Sequence, residues 1–172
     1  MSTGFKNNNP GNINFAKGYN PPGWTGKWSI TGDKQKNLIF SSMPYGIAAM
    51  MNIIHKDITK RGLKNIYDLD ENYVGHSPEI VTQNATHIAK LFPGKTIKQN
   101  FLIGSPQEVL LLAKGISSTE IPETISETDW DNGLQLYLSQ NNIEPKQLQS
   151  SQNLVPYFLL FTVAAAVYFV AR

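Results

Sequence analysis

The sequence predicts a predominantly helical α+β domain over residues 1–138, a polar linker over 139–153 and a C-terminal transmembrane helix over 154–171. Three observations carry this. From residue 44 onward apolar residues recur at helical spacing in segments opened by Ser or Ser-Pro. The first 37 residues are rich in Gly, Pro and Asn and carry no such period. Finally, Leu154 to Ala171 is a run of 18 residues without a charge, closed by Arg172.

Residues 1–37 read as irregular structure with at most short strands, and Leu38-Ile39-Phe40 as a short strand. A helix follows from about Pro44 to Arg61. Ser41 or Ser42 caps it, Ile47, Met50, Met51, Ile54 and Ile58 form its apolar stripe, and Gly62 stops it. A short helical turn is expected around Asn65–Leu69. Ser77-Pro78 opens the next helix, with Val81, Ala85, Ile88 and Phe92 inward and Pro93-Gly94 at its end. Ser105-Pro106-Gln107-Glu108 is a capping box for a helix that buries Val109, Leu112, Ala113 and Ile116 and frays near Thr119. A last amphipathic helix, from about Thr128, turns Trp130, Leu134 and Leu138 inward, before a Gln-, Asn- and Ser-rich linker.

The terminal apolar run, as a helix, reaches about 27 Å, near the hydrocarbon thickness of a bilayer. Tyr157 and Tyr168 stand near its ends, where amphipathic rings favour the interface, and Pro156 falls in its first turn. Met1 to Asn14 is polar and has no apolar core of a signal peptide, so a tail-anchored chain is expected.

Composition narrows the chemistry. With no cysteine there is neither disulfide nor thiolate chemistry. The net charge is +2, but residues 1–67 hold nine Lys/Arg against two acids, and residues 120–131 hold five acids and no base. A basic half suits an anionic surface such as a cell-wall polymer, and equally a solvated face. No recognition helix rich in Arg and Lys is visible, so nucleic acid is not an expected partner. His55, His76 and His87 show no zinc-binding spacing, and no phosphate-binding glycine loop or nucleophile elbow occurs; no metal and no cofactor is expected.

The stretch Lys6-Asn7-Asn8-Asn9-Pro10-Gly11-Asn12-Ile13 is a rigid polar turn, because Asn tolerates left-handed backbone and bonds its own main chain. Its amides, Asn9 and Asn12 among them, suit hydrogen bonds to a sugar N-acetyl group. Together with Trp24-Thr25-Gly26, with Phe40-Ser41-Ser42 followed by Gly46-Ile47 and Ala49, and with Gly62-Leu63 and Ile66, it resembles a bacteriophage virion-protein family. That family opens with a basic residue before Asn-Asn-Asn-Pro-Gly-Asn-Ile/Leu and includes virion-associated lytic enzymes. The resemblance covers roughly residues 4–135 and is strongest before residue 70. It implies a fold like lysozyme or a rearranged lytic transglycosylase, and activity on peptidoglycan.

Glycan cleavage needs a carboxylic acid that holds its proton near neutral pH. Glu120 is the first candidate: it closes the helix that begins at Ser105, where the dipole's negative end disfavours a charged carboxylate. Glu123 and Glu127 add like charge nearby, and Ile116 and Ile121 supply an apolar wall. Similar family members carry a Glu here in His-Glu-Asn-Gly; this chain has Thr119-Glu120-Ile121-Pro122, so only the Glu carries over. Glu79 is the second candidate, in a stretch resembling the family's Glu-Asn-x-Thr, but its place at a helix N-terminus favours a charged, helix-capping or base-like role over that of a proton donor. Tyr45, and Trp24 or Trp28, suit contact with sugar rings.

The expected protein is a lytic transglycosylase anchored in a virion membrane through residues 154–171, opening peptidoglycan during penetration or lysis, with other virion proteins as further partners. A transglycosylase needs one acid/base residue, the substrate's N-acetyl oxygen serving as nucleophile, whereas a lysozyme-type hydrolase uses a carboxylate pair. The rivals are a structural virion membrane protein that keeps the fold without activity, and a peptidoglycan endopeptidase.

Overall fold

A computed structural model describes residues 1–30 and 36–144. Within them lie helix α1 (Thr3–Lys6), strands β1 (Trp24–Ile30) and β2 (Lys36–Phe40), and helices α2 (Met43–Thr59), α3 (Ile66–Val74), α4 (Pro78–Ala89), α5 (Pro106–Glu120) and α6 (Glu127–Gln140). The two strands pair antiparallel, with Trp28 opposite Leu38 and Ser29 opposite Asn37. The register shifts between Trp24 and Trp28, where Gly26 takes a left-handed backbone (φ 73°).

Helix α2 forms the axis of the core. Its stripe of Ile47, Met50, Met51, Ile54 and Ile58 is fully buried, as the 3.6-residue spacing predicts. Each such side chain contributes about 1.5–3 kcal/mol of burial. Helix α2 packs chiefly on α6 and also on α5, α3 and β2. Helix α6 lends Trp130, Tyr137 and Leu138, with Leu134 only half-buried. Helix α5 adds Val109, Leu112, Ala113 and Ile116, and α4 adds Val81, Ala85 and Ile88.

The caps are of two kinds. Ser126 and Ser105 accept the amides of Asp129 (3.1 Å) and Glu108 (3.4 Å), whereas Ser42 and Ser77 make no side-chain cap bond and leave that end to proline in the first turn. In the predicted capping box Glu108 reaches further back than expected, accepting the amides of Ile103 (2.8 Å) and Gly104 (2.7 Å). The turn expected at Asn65–Leu69 continues as α3 for nine residues to Val74, capped by Asn65 and closed by Gly75 in the left-handed region (φ 64°).

Two expectations are corrected. The described residues make a small mixed α/β unit of six helices and a two-stranded sheet, rather than a lysozyme-like helical domain continued by a transmembrane helix. Among them no helix is long and apolar enough to cross a membrane. Helix α2, at 17 residues, is amphipathic and buries a carboxylate, Asp57. The single-pass virion-membrane location falls with it; the run 154–171, on which that expectation stood, lies outside the described residues.

Candidate active site

The Asn-rich loop is built onto β2 as though it were a third strand. The Phe40 amide donates to the Asn7 carbonyl (2.9 Å), Leu38 donates to Ile13 (2.9 Å), and the Asn8 side chain donates to Phe40 O (3.0 Å). Asn9 is fully buried. Its Nδ2 donates to Ile13 O (3.0 Å) and Leu38 O (3.1 Å), and its Oδ1 accepts the Ile13 amide (2.8 Å). Its side chain therefore staples the loop and offers no group to a ligand. Asn8 and Asn12 occupy the left-handed region (φ 52° and 47°), which explains asparagine there. Gly46 of α2 lets the loop lie down, since a Cβ there would collide with the Asn8 carbonyl.

At the far end of the loop, Asn12 is half-buried and its Nδ2 donates to Glu120 Oε2 at 2.8 Å. Glu120, the last residue of α5, is itself half-buried. The neighbouring Gly11 packs on the phenol of Tyr73, on α3, where a Cβ would not fit. One turn earlier on α3 stands Asp70. It is fully buried, with the Asn84 side chain as a polar neighbour of its carboxyl. Burial pushes its carboxyl up to about 6, the Asn84 side chain opposes this, and the charge of Glu120 adds to it. The Tyr73 hydroxyl is likewise buried, here without a partner, and burial, then Glu120, Tyr19 and Asp57, raise it well above the ordinary tyrosine value.

Beside this cluster opens a pocket of about 200 Å³ lined by Gly11, Asn12, Ile13, Asn14, Ile53, Asp57, Arg61, Asn72 and Tyr73. Asp57 is buried, paired with Arg61 (3.1 Å) and bonded by Asn72 (3.0 Å); its carboxyl is raised by burial, against the pull of Arg61 and Asn72. Arg61 Nη1 also donates to Asn72 Oδ1 (3.3 Å), so the wall is a polar network facing two isoleucines.

The other candidates lie apart. Glu79 is exposed at the start of α4, its carboxyl lowered by hydrogen bonds from its own amide and from Ser77, which makes it a helix-end cap. Tyr45, half-buried in the first turn of α2, lays its ring against Gly23 and does not line the pocket. Phe15 stacks on the exposed Trp28 (4.5 Å between centroids) and tilts against Trp24 (5.5 Å). Glu123 is held by Ser2 and the N-terminal amine, and Glu127 by Lys114 (2.7 Å), so both neighbouring acids are already partnered. His55 bonds the Tyr137 hydroxyl (2.8 Å) and His87 bonds Ser118 (3.0 Å). Among the described residues no three His, Asp or Glu side chains converge to hold a metal ion.

Asp70 and Tyr73 escaped the sequence reading. The available signal was an acid four residues after Ile66 on a helix, visible only if that helix is carried past Leu69. No protein-family model and no curated protein matches the chain.

Proposed function

We propose that the chain cleaves peptidoglycan glycan strands as a lytic transglycosylase of bacteriophage virion type, with Glu120 as its acid and base. One observation carries this: the loop that resembles the phage lytic family hands its Asn12 amide to Glu120, the first of the two acids that the resemblance marks, at 2.8 Å. Two stretches far apart in sequence meet at one carboxyl.

The donor on Oε2 leaves Oε1 as the oxygen that carries the proton. Glu120 gives that proton to the glycosidic oxygen as the bond to C1 breaks, its electron pair leaving with the oxygen. The substrate's acetamido oxygen closes on C1. Glu120, now a carboxylate, takes the proton of the C6 hydroxyl as that oxygen replaces the acetamido oxygen and forms the anhydro end. The polar pocket beside Asn12 supports the reading, as amide and guanidinium groups with an isoleucine wall suit an N-acetylated sugar. The test is release of soluble glycan from dye-labelled sacculi by the full chain and by its Glu120→Gln variant. Loss in the variant, with the fold intact by circular dichroism, is expected; equal release by both overturns the assignment.

A further inference from the structure

The pocket beside the loop shares one residue with the acid of the site. Asn12 lines it and bonds Glu120 at 2.8 Å, so a sugar in the pocket is one side chain away from the reacting carboxyl. The opposite part of the lining is built around a held arginine. Asp57, buried on α2, accepts Arg61 Nη1 at 3.1 Å. Asn72 on α3 ties both partners, donating to Asp57 Oδ2 (3.0 Å) and accepting from Arg61 Nη1 (3.3 Å).

All of these contacts fall on Nη1. Among the described residues no second carboxylate stands within ion-pair distance of the guanidinium, and its Nε–Nη2 edge carries no bond. The Arg61 side chain is 62% exposed and that of Asp57 only 3%, so a sealed acid holds an open base in place. A guanidinium fixed at one nitrogen and open along another edge fits a planar, two-oxygen anion bidentately. Charge favours the same ligand. Lys56 and Lys60 are exposed beside Arg61 at the end of α2, three cations against the one acid Asp57. Tyr73 also lines the pocket, and its buried hydroxyl is a polar group that the protein itself leaves unmet.

We propose that Arg61 is a specificity-determining residue: held by Asp57 and Asn72, it reads a carboxylate on the substrate, so that the pocket takes an acidic N-acetylated sugar in preference to a neutral one. The inference rests on the glycan-cleaving reading and names the sugar that the pocket selects. Every second sugar of a peptidoglycan strand carries an ether-linked lactic acid. Its carboxyl is either free or continued by a peptide stem that bears carboxylates of its own. Both sources offer the two oxygens that the guanidinium edge requires, and the intervening neutral sugar offers none. Because acidic and neutral sugars alternate, seating the acidic one beside Asn12 fixes the register of the strand against Glu120.

The test is an amide NMR titration of the folded full chain with four probes. They are N-acetylmuramic acid, its methyl ester, N-acetylglucosamine, and the N-acetylmuramoyl dipeptide, whose lactyl carboxyl is amidated and whose peptide ends in a carboxylate. The free acid is expected to bind about tenfold tighter than its ester or N-acetylglucosamine, the scale of a charge-assisted hydrogen bond. That preference should vanish in Arg61→Gln. Since this change leaves buried Asp57 without its counter-ion, the double variant Asp57→Asn with Arg61→Gln removes both charges and should lose the preference too. If the dipeptide rather than the acid is the tighter ligand, with the same loss in both variants, the recognised carboxylate lies in the stem and the inference stands. It is overturned if neither carboxylate-bearing probe binds better than the ester and N-acetylglucosamine, or if the preference survives the variants. If the preference is present but the wild type releases no glycan, the glycan-cleaving reading fails and the carboxylate pocket stands. If glycan is released and Glu120→Gln stops it while no probe shows a carboxylate preference, the inference fails alone.

Discussion

The Asn12 amide and the Glu120 carboxylate, separated by 108 positions in the chain, meet at 2.8 Å. The contact ties the Asn-rich loop, itself fastened to β2, to the last turn of α5. It gives the half-buried acid of the site one fixed oxygen and one free one.

Replacing Glu120 by Gln keeps the volume and an acceptor for Asn12 but removes the proton. Glycan release is expected to fall by about 100-fold or more, the usual scale of a lost general acid. Thermal unfolding should change little, since Glu120 is half-buried and its partner survives. Dye release and circular dichroism on the same preparation check both halves.

Asn12 separates backbone from side chain. Its φ of 47° costs an alanine about 1 kcal/mol but costs glycine almost nothing. Asn12→Ala is therefore expected to be less stable than Asn12→Gly by that amount in urea unfolding. Both should lose activity to a similar degree, about tenfold, because both lack the amide that holds Glu120.

Asn9 should behave differently despite lying three residues away. Asn9→Ala strands the buried Ile13 amide and withdraws a donor from Leu38, a cost of about 2–3 kcal/mol. Gly46→Ala drives a Cβ into the Asn8 carbonyl and costs about 2 kcal/mol or more. Either variant lowers the unfolding midpoint in urea, and neither should alter the pH profile of whatever activity remains.

Asp70 makes a signed prediction for stability. Its carboxyl stands at about 6 in the fold against an ordinary value of 3.8, so the folded state holds the proton that the unfolded state has released. Its contribution is fully present below about pH 3.8 and is lost as pH rises through 6, on the order of 3 kcal/mol. Because other acids titrate in the same range, the quantity to measure is the difference between wild type and Asp70→Asn. The variant should gain relative stability as pH climbs from 4 to 7 in urea unfolding. A flat difference contradicts the assignment.

Much of this architecture was legible in the chain. The stripe from Ile47 to Ile58 fixes α2 because spacing alone decides which face is buried, and Ser105 and Gly62 mark helix ends by local chemistry. Glu120 was legible as a helix-terminal acid. Its surroundings were not, since they depend on tertiary packing: Asn12 reaches it from the distant loop, while nearby Glu123 and Glu127 pair elsewhere. Asn9 and Asn12 look alike in sequence. Tertiary placement gives one a buried staple and the other the site. Strand β1 lay in a Gly- and Pro-rich stretch where its pairing to β2, broken at Gly26, leaves no clean alternation.

The most direct measurement is mass spectrometry of the soluble products formed when the full chain is incubated with purified peptidoglycan. Muropeptides ending in an anhydro-sugar, absent when Glu120→Gln is used, are the predicted result. An intact polymer in the presence of folded protein would contradict the account, and so would products released equally by the variant.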